Sequence, residues 1–386
     1  VAKLCSIDTL IVDIPTIRPH VLAMATMHRQ SMVIVRLRDE QGVEGFGEGT
    51  TIGGMSYTNE SPESIKSVID TYIAPVLEAC NLAAVGGTMA MVSRCVKGNH
   101  FAKCAVEMAL MDMAGKRIGV PTSELIGGGR VRDTLPVAWT LASGDTARDI
   151  DEAEAMLGQR RHRIFKLKIG KRPLDEDVAH VGAICRALGF RASVRVDVNQ
   201  NWTETQADRG MAMLHDVGVE LVEQPVAREV FGAMARLSAR HAAPIMADEA
   251  LNGPHDAFGL AASSSARVFA VKIAQSGGLH AARDVAAIAD SAGIGLYGGT
   301  MLEGGVGTAA SAQVFATLPS LEWGTELFGP LLLTDEILTE PLSYADFSLG
   351  IPTGPGLGVT LDEDKVAFYR RDGSAPTIYA VPGQGD

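Results

Sequence analysis

No stretch of this 386-residue chain is built to cross a membrane, because every apolar run stops short of the roughly 18 residues a spanning helix requires. The opening segment VAKLCSIDTL lacks the apolar centre of a secretion signal. A long basic block is also missing, and the net charge is −12. That balance argues against nucleic acid and anionic membranes as partners. It does not exclude a small anionic substrate, since the field inside a site can oppose the net charge. Cysteine is scarce: five residues, at 5, 80, 95, 104 and 185, form no CxxC pair and leave one over. Free thiols in a reducing cytoplasm fit this pattern, and a disulfide framework does not. What the chain does have is apolar content, 46% of its residues, enough for two or three domains' worth of core.

Residues 1–130 read as one α+β unit. SIDTLIVDIP is a strand, SMVIVRLRDEQGVEGFGEG a hairpin turning near Asp39 to Gly42, and PESIKSVIDTYIAPVLEA and Phe101 to Arg117 are helical, the latter ended by Gly119 and Pro121. From about residue 131 to 326 the pattern becomes strict alternation. Eight short apolar runs, at 135–141, 164–169, 193–198, 219–224, 243–248, 268–274, 294–299 and 321–325, are separated by seven helix-like segments. These segments begin near Thr146, Pro173, Thr203, Arg228, Pro254, Gly278 and Gly305. Such spacing means βαβ units and a parallel sheet, and eight strands predict closure into a (β/α)7β barrel. Residues 327–386 show no further βα unit and are expected to pack back on the first domain. Their final Gly- and Pro-rich dozen is expected to be poorly ordered. RRHR at 160–163 reads as a helix end, and GGGR at 127–130 as a turn.

In a barrel of this kind the chemistry sits at the carboxyl ends of the strands. Asp197, Glu223 and Asp248 end the third, fourth and fifth runs, 26 and 25 residues apart, one repeat each. Three clustered carboxylates repel one another unless a cation lies among them or their pKa values rise. All-oxygen ligation suits a hard divalent ion, Mg²⁺ or Mn²⁺. FKLKIG at 165–170 places Lys166 and Lys168 on one face of the second strand, where a period of two points both cations inward. Lys272 ends the sixth strand, on the opposite side of the mouth. The predicted chemistry is proton transfer beside a carboxylate through a metal-stabilised enolate. Two ammonium groups about 5 Å apart repel by about 3 kcal/mol at an effective dielectric near 20, so Lys166 is expected to tune Lys168.

The KxK strand, Asp197, Glu223, Asp248 and Lys272 resemble the muconate lactonizing subgroup of the enolase superfamily. TIRPH, GEGTTIGG, AWTLASGDTARDI, RRHRIFKLKIG, VRVDVNQ, EQP, IMADE, GLYGGTMLEG and TELFGPLLLT extend the likeness over nearly the whole chain. The resemblance implies a modified TIM barrel under an α+β capping domain completed by the C-terminal segment, and a homo-oligomer, an octamer. It implies cycloisomerisation of a small dicarboxylate, cis,cis-muconate, to muconolactone in aromatic catabolism, with Mn²⁺ or Mg²⁺ as cofactor. Asp197, Glu223 and Asp248 are then metal ligands, Lys168 the proton donor and base, Lys166 its tuner, and Lys272 an electrostatic stabiliser. Glu326 hydrogen-bonds across the mouth, and Asn199 orients the ligands. Glu249 either pairs with Lys272 or is a loop-end carboxylate in solvent. Two first-domain loops, TIRPH and TTIGGMSY, are expected over the mouth. Their Ile52 and Tyr57, with Phe328, resemble the muconate form of the pocket, while Arg18 and His20 either act there or are solvated. Gln275 stands where such enzymes often carry lysine, which leaves chlorinated muconates open. Dipeptide epimerase and o-succinylbenzoate synthase chemistry are the alternatives within the superfamily.

Overall fold

In the computed structural model, which describes residues 1–21 and 26–371, alternating apolar residues draw the first fifty positions into an antiparallel sheet. Strands β1 (Leu4–Val21), β2 (Thr26–Asp39) and β3 (Glu44–Thr50) lie in the order β1-β2-β3. The hairpin turns where Gly42 takes a φ of 81° and Asp39 Oδ1 accepts from the backbone N–H groups of Gln41 and Val43. TIRPH is not a loop: it is the far end of β1, which breaks register after Pro15 and resumes pairing at His20 opposite Met27. The helix His100–Ile118 packs on β3, and Gly119 ends it in the left-handed conformation. Contact there is close enough that a Cβ on Gly47 would stand 1.9 Å from the Ala105 carbonyl oxygen. A helix over Val85–Cys95 has no counterpart in the sequence reading, because Gly86 and Gly87 mask its pattern.

A short strand β4 (Thr134–Pro136) precedes the barrel. Strands β5 (Trp139–Leu141), β6 (Ile164–Lys168), β7 (Ser193–Asp197), β8 (Leu221–Glu223), β9 (Ile245–Ala247), β10 (Val268–Val271) and β11 (Gly295–Gly298) form one parallel sheet in sequential order. Six of the seven expected helices start within a residue of their expected positions; the fourth starts at Phe231, three residues late, and a short helix over Ile273–Ser276 is added after β10. The eighth run departs from expectation. It is a turn with no ladder of its own, after which Thr325 makes single bridges to Val137 on one side and Gly298 on the other. Ala138 N donates to Thr325 O at 2.7 Å and Glu326 N to Gly298 O at 2.8 Å, so this segment closes the ring. The helix expected to run into RRHR stops at Gly158. Arg160 instead pairs with Asp346 at the surface, and buried His162 stacks on Trp139.

Beyond Glu326 the chain returns to the first sheet. Strand β12 (Tyr344–Ala345) pairs with β13 (Ser348–Gly350), which pairs with β4; Leu333 bridges Thr16, and Arg371 grips Asp13. The last dozen residues lie outside the described region. Among the described residues no helix is long and apolar enough to cross a membrane.

Candidate active site

Period-two geometry sets the second barrel strand. Phe165 and Leu167 are buried on its outer face, against the helices, which leaves Lys166 and Lys168 on the inner one. Lys166 donates to Glu326 Oε2 at 2.6 Å and Glu223 Oε2 at 3.0 Å, and lies 3.8 Å from Asp197 Oδ2. Burial opposes its charge, but Glu223 and Glu326 outweigh burial and hold its pKa well above the usual lysine value. Lys166 therefore keeps its charge, balanced by carboxylates instead of acting on Lys168 alone. Lys168 Nζ donates to Asp197 Oδ2 at 2.5 Å, so both lysines share one carboxylate oxygen. Across the mouth, Lys272 lies 2.6 Å and 2.8 Å from the two oxygens of Asp248 and donates to Tyr57 Oη at 2.8 Å. Burial again opposes the Lys272 charge, and Asp248 and Glu223 raise its pKa in spite of it.

Asp197 and Glu223 are register partners on β7 and β8, and Asp248 follows β9. All three are buried. Burial and the nearby Asp197 push Glu223 well above the carboxylate range, and it lies close enough to Asp248 to share a proton. Asp248 is held down, against burial, by Lys272. A cluster that must take up a proton to settle its charge is short of a cation, and its donors are carboxylate oxygens; both facts fit a hard divalent ion. Here the oxygens are turned to lysines, and among the described residues no three acidic, histidine or cysteine groups are arranged as a ready ligand set.

Behind the carboxylates, Asn199 N donates to Asp197 Oδ1 at 2.8 Å and Asn199 Nδ2 to Glu249 Oε1 at 3.0 Å. Glu249 follows neither expected course. It is buried rather than solvated, and its partner is Asn199, because Lys272 is already taken by Asp248. Burial and the charges of Asp248 and Asp197 push its pKa up to about 7. Gln275 does not face the mouth. Its amide donates to the backbone carbonyls of Asp248 (2.6 Å) and Leu251 (2.9 Å), bracing the Asp248 turn.

A small cavity occupies the mouth. His20, Ile52, Tyr57 and Phe328 wall it, and Lys166, Lys168, Lys272, Asp248 and Glu326 meet there. His20 is buried, not solvated, and burial together with Lys168, Arg18 and Lys166 pushes its pKa down to about 3. Arg18 lies outside the cavity and donates to Thr140 O and Glu152. Thr140, Thr300 and Leu302 also line the cavity, and none of them stood out in the sequence. Thr140, whose hydroxyl donates to Glu326 Oε1 at 3.2 Å, was within reach: it sits near the carboxyl end of the first barrel strand.

Comparison with known proteins bears on this geometry. Residues 6–127 match the family model for the mandelate racemase/muconate lactonizing enzyme N-terminal domain, and residues 148–365 the one for enolase C-terminal domain-like proteins. A muconate cycloisomerase of Acinetobacter lwoffii is 60% identical over 370 residues, 96% of either chain. A crystal structure of muconate lactonizing enzyme from Pseudomonas fluorescens complexed with muconolactone superposes with a TM-score of 0.94 at 57% identity, covering 96% of this chain and 100% of that one. A chloromuconate cycloisomerase of Cupriavidus necator is 46% identical over 369 residues, covering 96% of this chain and 99% of the relative.

Proposed function

The chain belongs to the mandelate racemase/muconate lactonizing enzyme family of the enolase superfamily, and from that premise we propose that it is a muconate cycloisomerase, interconverting cis,cis-muconate and muconolactone. The observation that carries this reading is the mouth cavity, small and walled on one side by the cap, where three lysines on opposite walls face a buried carboxylate cluster. Residues 1–130 act as the cap and 131–326 as the catalytic barrel. Relatives named for unsubstituted muconate are more similar than those named for chloromuconate, which favours the former substrate. Gln275 bears on neither substrate, because its side chain is spent on backbone carbonyls away from the cavity.

The reaction adds one substrate carboxylate to C4 of the diene. The ring C–O bond forms, the π electrons move toward C5 and its neighbouring carboxylate, and C5 then takes a proton. Muconate dianion and one proton thus give muconolactone monoanion. Lys168, partly exposed at the rim of the cavity, delivers that proton and removes it in reverse. Lys166 and Lys272 supply fixed positive charge on facing walls, where a water-poor site makes it effective. Glu326 and Thr140 hold Lys166 in place. Asp197, Glu223 and Asp248 would hold a divalent ion, Mn²⁺ or alternatively Mg²⁺, which supplies charge beside the carboxylate where negative charge builds up. Asn199 and Glu249 brace those ligands from behind. An octamer in the cytoplasm is the assembly and setting in keeping with the family resemblance.

The test is turnover of cis,cis-muconate with Mn²⁺ in D₂O, followed by ultraviolet loss and by NMR for deuterium at C5. Lys168→Ala is expected to lose nearly all activity, by about 10²- to 10⁴-fold. Normal rates in that variant would remove Lys168 from its role, and turnover of N-succinyl amino acids in place of muconate would overturn the substrate.

A further inference from the structure

The polar side chains around the mouth are almost all spent on one another. Lys166 is taken by Glu223 and Glu326, Lys168 by Asp197, Lys272 by Asp248 and Tyr57, and Thr140 by Glu326. His20 is the exception. Its ring lines the cavity and is 2% exposed, and Nδ1 is buried with no hydrogen-bond partner. An unpaired buried nitrogen costs free energy unless a ligand completes it. The backbone that carries the ring is paired: β1 resumes its ladder at His20, and two residues back Arg18 donates to Thr140 O and Glu152 on the barrel side.

We propose that His20 is the binding residue for the second carboxylate of the substrate, the one that attacks the diene. This rests on the cycloisomerase reading and adds a role to it. The two carboxylates have opposite needs. Charge accumulates next to one, so the concentration of cations and would-be metal ligands suits it. The other must stay nucleophilic while being aimed, and a full ion pair with an ammonium group would hold back its electrons. A neutral imidazole N–H, in the tautomer with the proton on Nδ1, orients a carboxylate oxygen by one hydrogen bond without adding a charge. The low pKa of His20 keeps the ring neutral across the working range, in accord with this role. Because His20 belongs to the cap and the lysines to the barrel, a six-carbon dicarboxylate would bridge the two, and a monocarboxylate would not.

The experiment compares adipate, a six-carbon dicarboxylate, with hexanoate, its monocarboxylate counterpart, as competitive inhibitors of muconate turnover with Mn²⁺. Wild type is expected to hold adipate at least about tenfold more tightly. His20→Phe is expected to shrink that ratio to about threefold or less while leaving the hexanoate constant within about threefold. His20→Gln, which restores a neutral donor, is expected to recover part of the preference. If His20→Phe proves unstable by thermal melt, the His20→Asn and His20→Gln ratios decide in its place. An unchanged ratio in a folded variant, or equal loss of both inhibitors, overturns the proposal. Should wild type fail to turn over muconate, calorimetry with the same two acids still reads the His20 contact, so failure of the reaction assignment and failure of this one are told apart.

Discussion

Replacing Glu48 by glutamine should flatten the pH dependence of stability. Glu48 stands on β3 with its carboxylate against the start of the barrel helix Gly305–Phe315. Oε1 accepts from Thr50 Oγ1 (2.6 Å) and Gly304 N (2.8 Å), and Oε2 from Gly307 N (2.8 Å). Burial raises its pKa, hydrogen bonds from Thr50 and Gly307 lower it, and Glu303 raises it again, leaving it at about 7 against an ordinary 4.5. The folded carboxyl then binds a proton that the unfolded one has already released, so stability falls as pH rises from about 4.5 to about 7 and is level beyond. At about 1.4 kcal/mol per pH unit, the gap amounts to about 3 kcal/mol. Glu48→Gln removes the ionisation and also makes Glu303 easier to ionise, which flattens the curve further. A pH-independent loss of about 1–3 kcal/mol accompanies it, because the amide NH₂ faces the Gly307 N–H. The assay is urea unfolding of both proteins from pH 5 to pH 8. Wild type should lose about 2.5 kcal/mol more than the variant over that span; two parallel curves would refute the argument.

Divalent ions and close packing give two further expectations. Titrating the chelator-treated protein with Mn²⁺ or Mg²⁺ should raise its stability by about 2.7 kcal/mol at a hundredfold excess over the dissociation constant; Asp248→Asn should abolish that gain, and a gain that survives in Asp248→Asn would place the ion elsewhere. Gly47→Ala drives a methyl group into the Ala105 carbonyl of the helix His100–Ile118, with no flexible side chain to yield. A loss of about 3 kcal/mol or more in urea is expected, and a wild-type melting curve would contradict the close contact.

The sequence was most readable where a strict period acts. Two lysines two apart must share a strand face, and three carboxylates one βα repeat apart must end neighbouring strands. It was least readable where long-range packing chooses between local options. TIRPH carries a proline and looks like a loop, yet pairing with β2 makes it strand and turns His20 inward. Glu249 follows Asp248 directly, and nothing local says which carboxylate takes Lys272 and which takes Asn199. Asn199 itself sits at a φ of 45°, a turn that no glycine announces. Glu48 and Glu303 are 255 positions apart, and only the docking of cap on barrel makes them neighbours. The eighth barrel segment pairs through single residues, too few for a hydrophobic period to mark it as anything but another strand.

Four carboxyl groups, Asp197, Glu223, Asp248 and Glu326, stand against three ammonium groups, Lys166, Lys168 and Lys272. An unmatched charge buried here would cost several kcal/mol. The raised pKa of Glu223 removes the excess negative charge by keeping a proton on the cluster. A divalent ion entering alone would displace that proton and leave one positive charge in excess, and a dicarboxylate alone would bring two negative ones. Entering together they offset one another, so each favours the other's binding, and the linkage is reciprocal. The same ledger explains why the cap contributes a neutral group. A lysine or arginine in place of His20 would aim the incoming carboxylate equally well, but its charge would have to be matched by one more buried acid, and among the described residues no unpaired acid faces His20 across the cavity.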